Sequence, residues 1–488
     1  MALDDVLTLT GADASAPVPD ILSLLGDRAT LARQAAFRIE QAEDPTAVAA
    51  YRAQRHEFFV RQQGLFETSD LDERDADPRT VVLVARDSAG EVLGGVRLGP
   101  VDDGPDLGWW YGGRLVVAPS ARRLGGVGPA LVRAACARAE AEGALRFEAT
   151  VQPRAEVLFN RLGWHRVRDV DTAGQPHVLM RWHVGRISAQ ACATKAELGP
   201  LLAALARNGS DHALGGSGFV GDDGSPVPGS DLVAACDAIV PSIVERDPEW
   251  AGWCSVLVNV NDLAAMGATP VGLLDALGAR DASHANRILS GLKRAAEAYG
   301  RIPLLGGHTQ LGVPAALAVT ALGRTDHPVP GGGGRPGQEV RLTADVGGAW
   351  RPSYWGRQWD STSYRSAEEL RAMLAAVAAV RPAAAKDVSM AGIAGTLGML
   401  AEASGCGAVL DVAAVPRPRE ASVGDWLTCF PGFAMFTADE AGAPAPPAGP
   451  ATSAVCGELT TAQGVGLRWP DGAITPAVTG PVTGLGSA

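Results

Sequence analysis

No uninterrupted apolar run in the 488 residues approaches the roughly 20 needed to cross a bilayer. The start, MALDDVLTLTGADASAPVPD, is acidic and broken by proline, so it reads as neither a signal nor a transit peptide. Cysteine is scarce. Seven residues, at 136, 192, 236, 254, 406, 429 and 456, form no CxxC pair, so reduced thiols and a cytoplasmic location are expected rather than a disulfide framework. Histidines number only eight and are unclustered, which argues against a zinc site. A basic excess is also missing: the formal charge of −12 argues against nucleic acid or an anionic membrane as partner. Small-molecule substrates remain. No internal repeat is visible.

What is present is enough chain for two or three domains. Breaks in composition set off a tail over residues 1–35 and a mixed α/β unit over 36–184. A second α/β unit covers 185–330, and PVPGGGGRPGQ separates it from a third over 337–440. The Pro/Ala/Gly-rich end, 441–488, contains GAPAPPAGP and reads as a flexible link before weakly ordered residues.

The first unit holds RLVVAPSARRLGGVGPALVRAACARAEAEG. A β-branched strand ends at Val117, a turn carries Arg122, Arg123 and three glycines, and an amphipathic helix follows. Gly125, Gly126 and Gly128 let the backbone approach a ligand, and the start of the helix offers free N–H donors to an anion. The loop is either a diphosphate cradle or an ordinary glycine-rich turn. Glu148, on an expected strand, is either a general base or an exposed edge carboxylate.

RLGGVG fits R-x-x-G-x-G, and AEVLFNRLGW ends a helix in a Gly-aromatic pair. Together with RHEFFVRQQGLFETSDLDERD upstream, these stretches resemble the GCN5-related N-acetyltransferase (GNAT) family over about 135 residues. The resemblance implies an acyl-CoA cofactor such as acetyl-CoA. Its sites would be Val117, Arg123, Leu124, Gly125, Gly126, Val127, Gly128 and Asn160. One position departs from the family: Phe159 stands where many members place a tyrosine that protonates the departing thiolate, so acyl transfer is left open.

In the second unit, GGSGFVGDDGSP carries Asp222 and Asp223, LVAACDAIV carries Asp237, and SVLVNVNDLAAMGATP carries Asp262. Carboxylates gathered from separate elements suit Mg²⁺ and substrate phosphates; for Asp222 and Asp223, capping of a turn is the alternative. On a helix, Ser255, Asn259, Asp262 and Met266 share one face between apolar flanks. A sheltered carboxylate there needs a partner or a metal, unless Asp262 is an N-cap.

GDDG, VNVNDLAAMGATP, GGHT and KDVSMAGIAGTLGMLAEASG resemble, over about 240 residues, the PurM-like superfamily of aminoimidazole ribonucleotide synthetase and thiamine-monophosphate kinase. The resemblance implies a fold of α/β and α+β parts, in which a GNAT fold precedes a two-part PurM-like α+β fold. It further implies ATP and Mg²⁺ held by Asp222, Asp223, Asp237 and Asp262, with Asn259 and His308 nearby, and a homodimer through the PurM-like unit. His308 would contact phosphate or substrate, or be a satisfied turn histidine. Met390 and Ala391 depart from the kinase pattern. The expected function is a bifunctional enzyme, an acyl-CoA-dependent N-acyltransferase joined to Mg-ATP-dependent phosphoryl transfer; the alternative is a non-catalytic nucleotide- or CoA-binding sensor. A fusion of this kind also resembles proteins of bacterial nitrogen-starvation nitrilase clusters, which would imply nitrile or cyanide nitrogen use.

Overall fold

The computed structural model describes residues 37–206 and 211–488; the expected tail, 1–35, lies outside them. Three sheets follow in chain order. The first contains β1 (Arg38–Gln41), β2 (Val81–Arg86), β3 (Val92–Pro100), β4 (Trp109–Val117), β5 (Arg146–Val151), β6 (Trp164–Thr172) and β7 (Gln175–Trp182) in the order β1-β2-β3-β4-β5-β7-β6. All its neighbours are antiparallel except β4 and β5. That parallel pair is joined only over Trp109–Gly112 and Arg146–Ala149, so the strands part beyond Gly112. A register shift between β3 and β4 falls where Arg114 takes a φ of 56°, bending β4 away at the point of divergence. The crossover helix Val127–Ala141 closes this unit. Val127, Leu131, Ala135 and Ala139, spaced by four, are all buried, which is the stripe expected of a helix laid on a sheet.

The second sheet contains β8 (Ser225–Pro226), β9 (Leu232–Ala238), β10 (Thr269–Ala279), β11 (Leu304–Leu311) and β12 (Ala316–Arg324), ordered β11-β10-β12-β9-β8. One face is covered by the helices Pro248–Ala265 and Ala282–Ala298. From Trp250 to Ala265 only Val258 is not buried. The two helices touch backbone to backbone: a Cβ on Gly291 would lie 1.9 Å from the Glu249 carbonyl oxygen, and one on Gly252 would lie 2.1 Å from that of Ile288. Glycine is required at both positions.

The third sheet draws on β13 (Glu339–Ala344), β16 (Ala384–Asp387), β17 (Gly407–Asp411), β18 (Ala434–Asp439), β19 (Thr452–Thr460), β20 (Val465–Arg468) and β21 (Ile474–Val478), ordered β16-β18-β13-β19-β17-β20-β21. A small hairpin of β14 (Ala349–Trp350) and β15 (Trp359–Asp360) stands apart. The weakly ordered end expected over 441–488 is corrected here, since it supplies β19, β20 and β21. Its strands are rich in small residues and two of the three are short, which hides them among turn signals, yet Cys456, Leu459, Val465 and Leu467 are buried. Glu402 then accepts hydrogen bonds from the Val482 and Thr483 amides at 2.7 and 2.8 Å, pinning the last residues to the helix Gly392–Ala403. Among the described residues no helix is long and apolar enough to cross a membrane.

The first unit is docked on the third. Arg146 of β5 makes a two-pronged ion pair with Asp471 at 2.8 Å. Arg186, at the head of the connecting helix Arg186–Lys195, pairs with Asp425 at 2.6 Å, and Gln190 of that helix donates to the Met390 carbonyl at 2.6 Å.

Candidate functional sites

The divergence of β4 and β5 opens a cavity of about 600 Å³, within the usual range of small-molecule sites. Its wall is aromatic, with Phe58, Phe66, Phe147 and Trp164 among the lining residues, and Tyr111 is its one phenol. Burial raises the Tyr111 pKa, against the lowering effects of a Thr150 hydrogen bond and the Arg74 charge, so the phenol stays a proton donor. Phe159 lines the cavity and meets Trp164 edge-on at 5.3 Å; it offers no proton.

The glycine loop leads out of the same strand, β4. Residues Ala121–Leu124 form one 3₁₀ turn, Gly125 and Gly126 take φ values of 67° and 74°, and the helix starts at Val127. A Cβ on Gly125 or Gly126 would meet nothing within 4 Å. That empty space, at an exposed helix start carrying Arg122 and Arg123, suits an anionic diphosphate. Val117, Arg123, Leu124, Gly125, Gly126, Val127 and Gly128 are therefore contiguous here, and Asn160 is exposed on the helix Glu156–Arg161.

Glu148 is not in this cavity, and the expectation of a general base or of an exposed edge carboxylate is corrected. Phe147, Ala149, Thr150 and Val151 of β5 line the cavity, and Glu148 does not. It is 1% exposed, pairs with Arg146 at 3.0 Å and Arg181 at 2.6 Å, and accepts from the Trp109 indole at 3.0 Å. This carboxylate is fully engaged at the junction with the third unit.

The second site is acidic. Carboxylate oxygens of Asp223, Asp262 and Asp387 all lie within 4.8 Å of one another. Asp223 comes from the loop before β8, Asp262 from the last turn of the helix Pro248–Ala265, and Asp387 from the end of β16. Asp262 is thus no N-cap. Asp223 accepts from Lys386 Nζ at 2.6 Å and from the Asp387 amide at 2.8 Å, which ties the second unit to the third and removes turn-capping as its role. Asp222 likewise caps no local turn; both its oxygens accept from the Gly331 amide at 2.8–2.9 Å. Its pKa is pushed up to about 7 by burial, with Lys386 and that amide opposing. Burial raises Asp262 well above the carboxylate range, and the charges of Asp387, Asp237 and Asp223 add to the effect. Asp387 is raised in the same way by burial and by Asp223. Burial opposes the charge on Lys386, but Asp223 and Asp222 more than reverse this and hold it protonated.

The donor set fits a hard divalent cation. Asp387 Oδ1 and Asn259 Oδ1 are buried with no hydrogen-bond partner, although Asn259 Nδ2 is satisfied by the Ser255 carbonyl at 2.9 Å. Of the four aspartates expected to hold metal, Asp223 and Asp262 are brought together, Asp222 braces the loop, and Asp237 is exposed on β9 while still acting electrostatically on Asp262 and Asp387. His308 sits on the exposed strand β11 opposite Ala276, outside the cluster. Sequence reasoning missed Lys386 and Asp387, although the KD pair opens the quoted KDVSMAGI segment. It also missed Lys195, at the end of the connecting helix, whose charge reaches Asp237 and Asp387.

Residues 46–164 match the acetyltransferase (GNAT) family, residues 221–325 the N-terminal domain of AIR synthase related proteins, and residues 336–466 their C-terminal domain. An uncharacterized protein of Synechocystis sp. is 35% identical over 240 residues, 47% of this chain and 74% of that relative. A thiamine-monophosphate kinase of Synechococcus elongatus is 40% identical over 113 residues, covering 21% of this chain and 34% of the kinase. A solved structure, AaThiL complexed with AMPPCP and TMP, is 20% identical with a TM-score of 0.43, over 54% of this chain and 91% of that one. The matches define the class as an acetyltransferase-family (GNAT) domain joined to a two-part AIR synthase related body. The chain belongs to the AIR synthase related, PurM-like proteins and carries a GNAT-family domain fused ahead of them.

Proposed function

We propose that the protein is a cytoplasmic bifunctional transferase. The first unit passes an acyl group from acyl-CoA to an amine, and the second and third units together use Mg-ATP to phosphorylate or activate a small metabolite. The observation that carries this reading is the acidic site, where three carboxylates, two of them buried, lie within 4.8 Å of one another, with Lys386 paired to Asp223 and polar atoms left unpaired. Such a site is costly unless a cation occupies it. Asp223, Asp262 and Asp387 would hold Mg²⁺, which supplies charge neutralisation for the triphosphate when bound. Lys386 fixes the orientation of Asp223, and Asn259 offers its free oxygen beside Asp262. Positioning and charge compensation of this kind supply most of the rate in phosphoryl transfer. Calorimetry and turnover assays with Mg-ATP across a metabolite panel test this; neither binding nor hydrolysis would remove it.

In the first unit the glycine loop would cradle the CoA diphosphate while the acyl arm enters between β4 and β5. Gly126→Ala is expected to weaken acetyl-CoA binding about ten-fold by calorimetry. The αL conformation at Gly126 costs a non-glycine residue roughly 1–2 kcal/mol, and nothing else packs there. Unchanged affinity would place the cofactor elsewhere. Phe159 favours a second reading, in which this unit binds acyl-CoA without turnover; an acyl-transfer assay over an amine panel separates the two.

The second sheet ends in an uncovered strand. Every residue of β11 is exposed, and Leu304, Leu305 and Leu311 are 45–57% exposed. A flat apolar edge of this kind invites pairing, and a second copy of the chain is the proposed partner. Leu305→Arg should turn a dimer into a monomer in analytical ultracentrifugation. A wild-type chain that sediments as a monomer at micromolar concentration would refute the pairing.

A further inference from the structure

The acyltransferase cavity is lined by more charge than its aromatic wall requires, and the charges do not balance. Beneath it lies a cluster of three arginines and three aspartates. Arg55, fully buried, pairs with Asp70 and Asp75, each at 2.6 Å. Arg97 pairs with Asp75 at 2.7 Å and with Asp72 at 2.5 Å, and Arg114 reaches Asp72 at 3.1 Å. Three cations therefore meet three anions, and the cluster is neutral.

Arg74 stands outside this balance. It belongs to the short turn Glu73–Asp75, which Asp72 and Asp75 close by exchanging side-chain and backbone hydrogen bonds. The carboxylates of that turn are also the ones gripped by Arg55 and Arg97, so the turn is fixed from below. Arg74 projects from it into the cavity, with its guanidinium carbon 4.7 Å from the centre of the Tyr111 ring. Its side chain forms no ion pair or hydrogen bond among the described residues. The next unpaired cation on the lining, Arg154, bonds only to Gln152 Oε1, at 3.0 Å. The one acidic residue on the lining, Asp72, is already committed to Arg97 and Arg114.

A rigidly mounted, half-buried guanidinium with a free fork and an aromatic backing is the arrangement that selects a planar carboxylate. The cofactor's diphosphate has its own cradle at the glycine loop, whose residues do not line this cavity. We propose that the acyltransferase cavity takes a substrate whose non-reacting end is a carboxylate, docked on Arg74, with an apolar body against the phenylalanine wall. The proposal rests on the acyl-transfer reading above. The carboxylate belongs either to the amine acceptor, as in an apolar amino acid, or to the acyl group of a dicarboxylic acyl-CoA. In both cases the amine nitrogen bonds to the acyl carbon and the C–S bond breaks. The amine gives up a proton and the CoA sulfur takes one.

Matched pairs test this with the full chain: phenylalanine against phenethylamine and leucine against isoamylamine, each with acetyl-CoA, and then phenethylamine with acetyl-CoA against succinyl-CoA. If the acceptor carries the carboxylate, kcat/KM for the amino acids exceeds that for their decarboxylated partners. If the acyl group carries it, succinyl-CoA outperforms acetyl-CoA. In the preferred arm Arg74→Ala should lower kcat/KM roughly 10- to 100-fold, and Arg74→Lys should restore only part of the loss. The carboxylate-free arm should lose markedly less, so that the preference between the arms collapses. No preference in either comparison, or an equal loss in both arms, overturns the proposal. It is also overturned if Arg74→Ala weakens acetyl-CoA binding itself, since Arg74 would then serve the cofactor. A wild-type chain that fails to bind acetyl-CoA is a separate result, which brings down the acyl-transfer reading and this proposal with it.

Discussion

Asp262→Asn is expected to abolish Mg-ATP turnover while making the metal-free protein more stable. Asp262 is 6% exposed and Asp387 is 2% exposed, and burial with mutual repulsion raises both well above the ordinary carboxylate range. A raised folded-state pKa means that the folded protein holds protons which the unfolded chain has released. Stability contributed by the protonated form is then lost as pH rises from the unfolded value through the folded one. At neutral pH the cluster is therefore a source of strain. Asn cannot ionise, keeps the shape of the side chain and relieves that repulsion, so the melting temperature without metal should rise by a few degrees. Turnover should fall at least about 100-fold, because removing one charged group from a preorganised electrostatic site costs on that order. Mg²⁺ should also stabilise the wild type and not the variant. Calorimetric melting with and without Mg²⁺, beside a phosphate-release assay, reads all three quantities. A variant that is less stable and equally active would show Asp262 to be a structural residue.

The opposed signs of stability and activity explain why Asp262 was legible in the sequence. A carboxylate among Val256, Leu257, Val260 and Leu263 breaks the local rule that apolar faces stay apolar, and such breaks mark functional sites. Asp387 breaks no such rule. It closes a four-residue strand beside Lys386, where a charged pair looks like an ordinary solvated strand end, and it is buried by distant segments: β18, the helices Pro248–Ala265 and Gly392–Ala403, and the Asp223 loop. Lys195 was hidden for a related reason: its place near the acidic site depends on how the connecting helix docks against the helix Gly392–Ala403. The glycine loop was readable because its strand, turn and helix are consecutive. The last strands were not readable, because β19 joins β13 and β17 over long sequence separations and small residues carry little periodic signal.

Glu148→Ala is expected to destabilise the protein by about 3–5 kcal/mol, the usual cost of removing one partner from a buried ion pair. Arg146 is 3% exposed and lies 3.8 Å from the Trp109 ring centre; without Glu148 it would keep only Asp471, and Arg181 would lose its carboxylate altogether. The loss should fall on the junction of the first and third units, because Arg146 bridges Glu148 in β5 to Asp471 in the turn between β20 and β21. Denaturant unfolding should therefore show the first unit releasing earlier, with a lower midpoint in its transition. Acyl transfer by the still-folded fraction discriminates between roles. A general base in the cavity would contribute roughly 10²- to 10⁴-fold to the rate, and Glu148→Gln would forfeit that contribution while keeping the shape of the side chain. An inter-domain tie predicts a different result: Glu148→Gln retains acyl-transfer activity to within a few-fold and loses stability in the same direction as Glu148→Ala. The partners of Glu148 decide for the tie, since Arg146, Arg181 and the Trp109 indole occupy the carboxylate, and it is absent from the cavity lining.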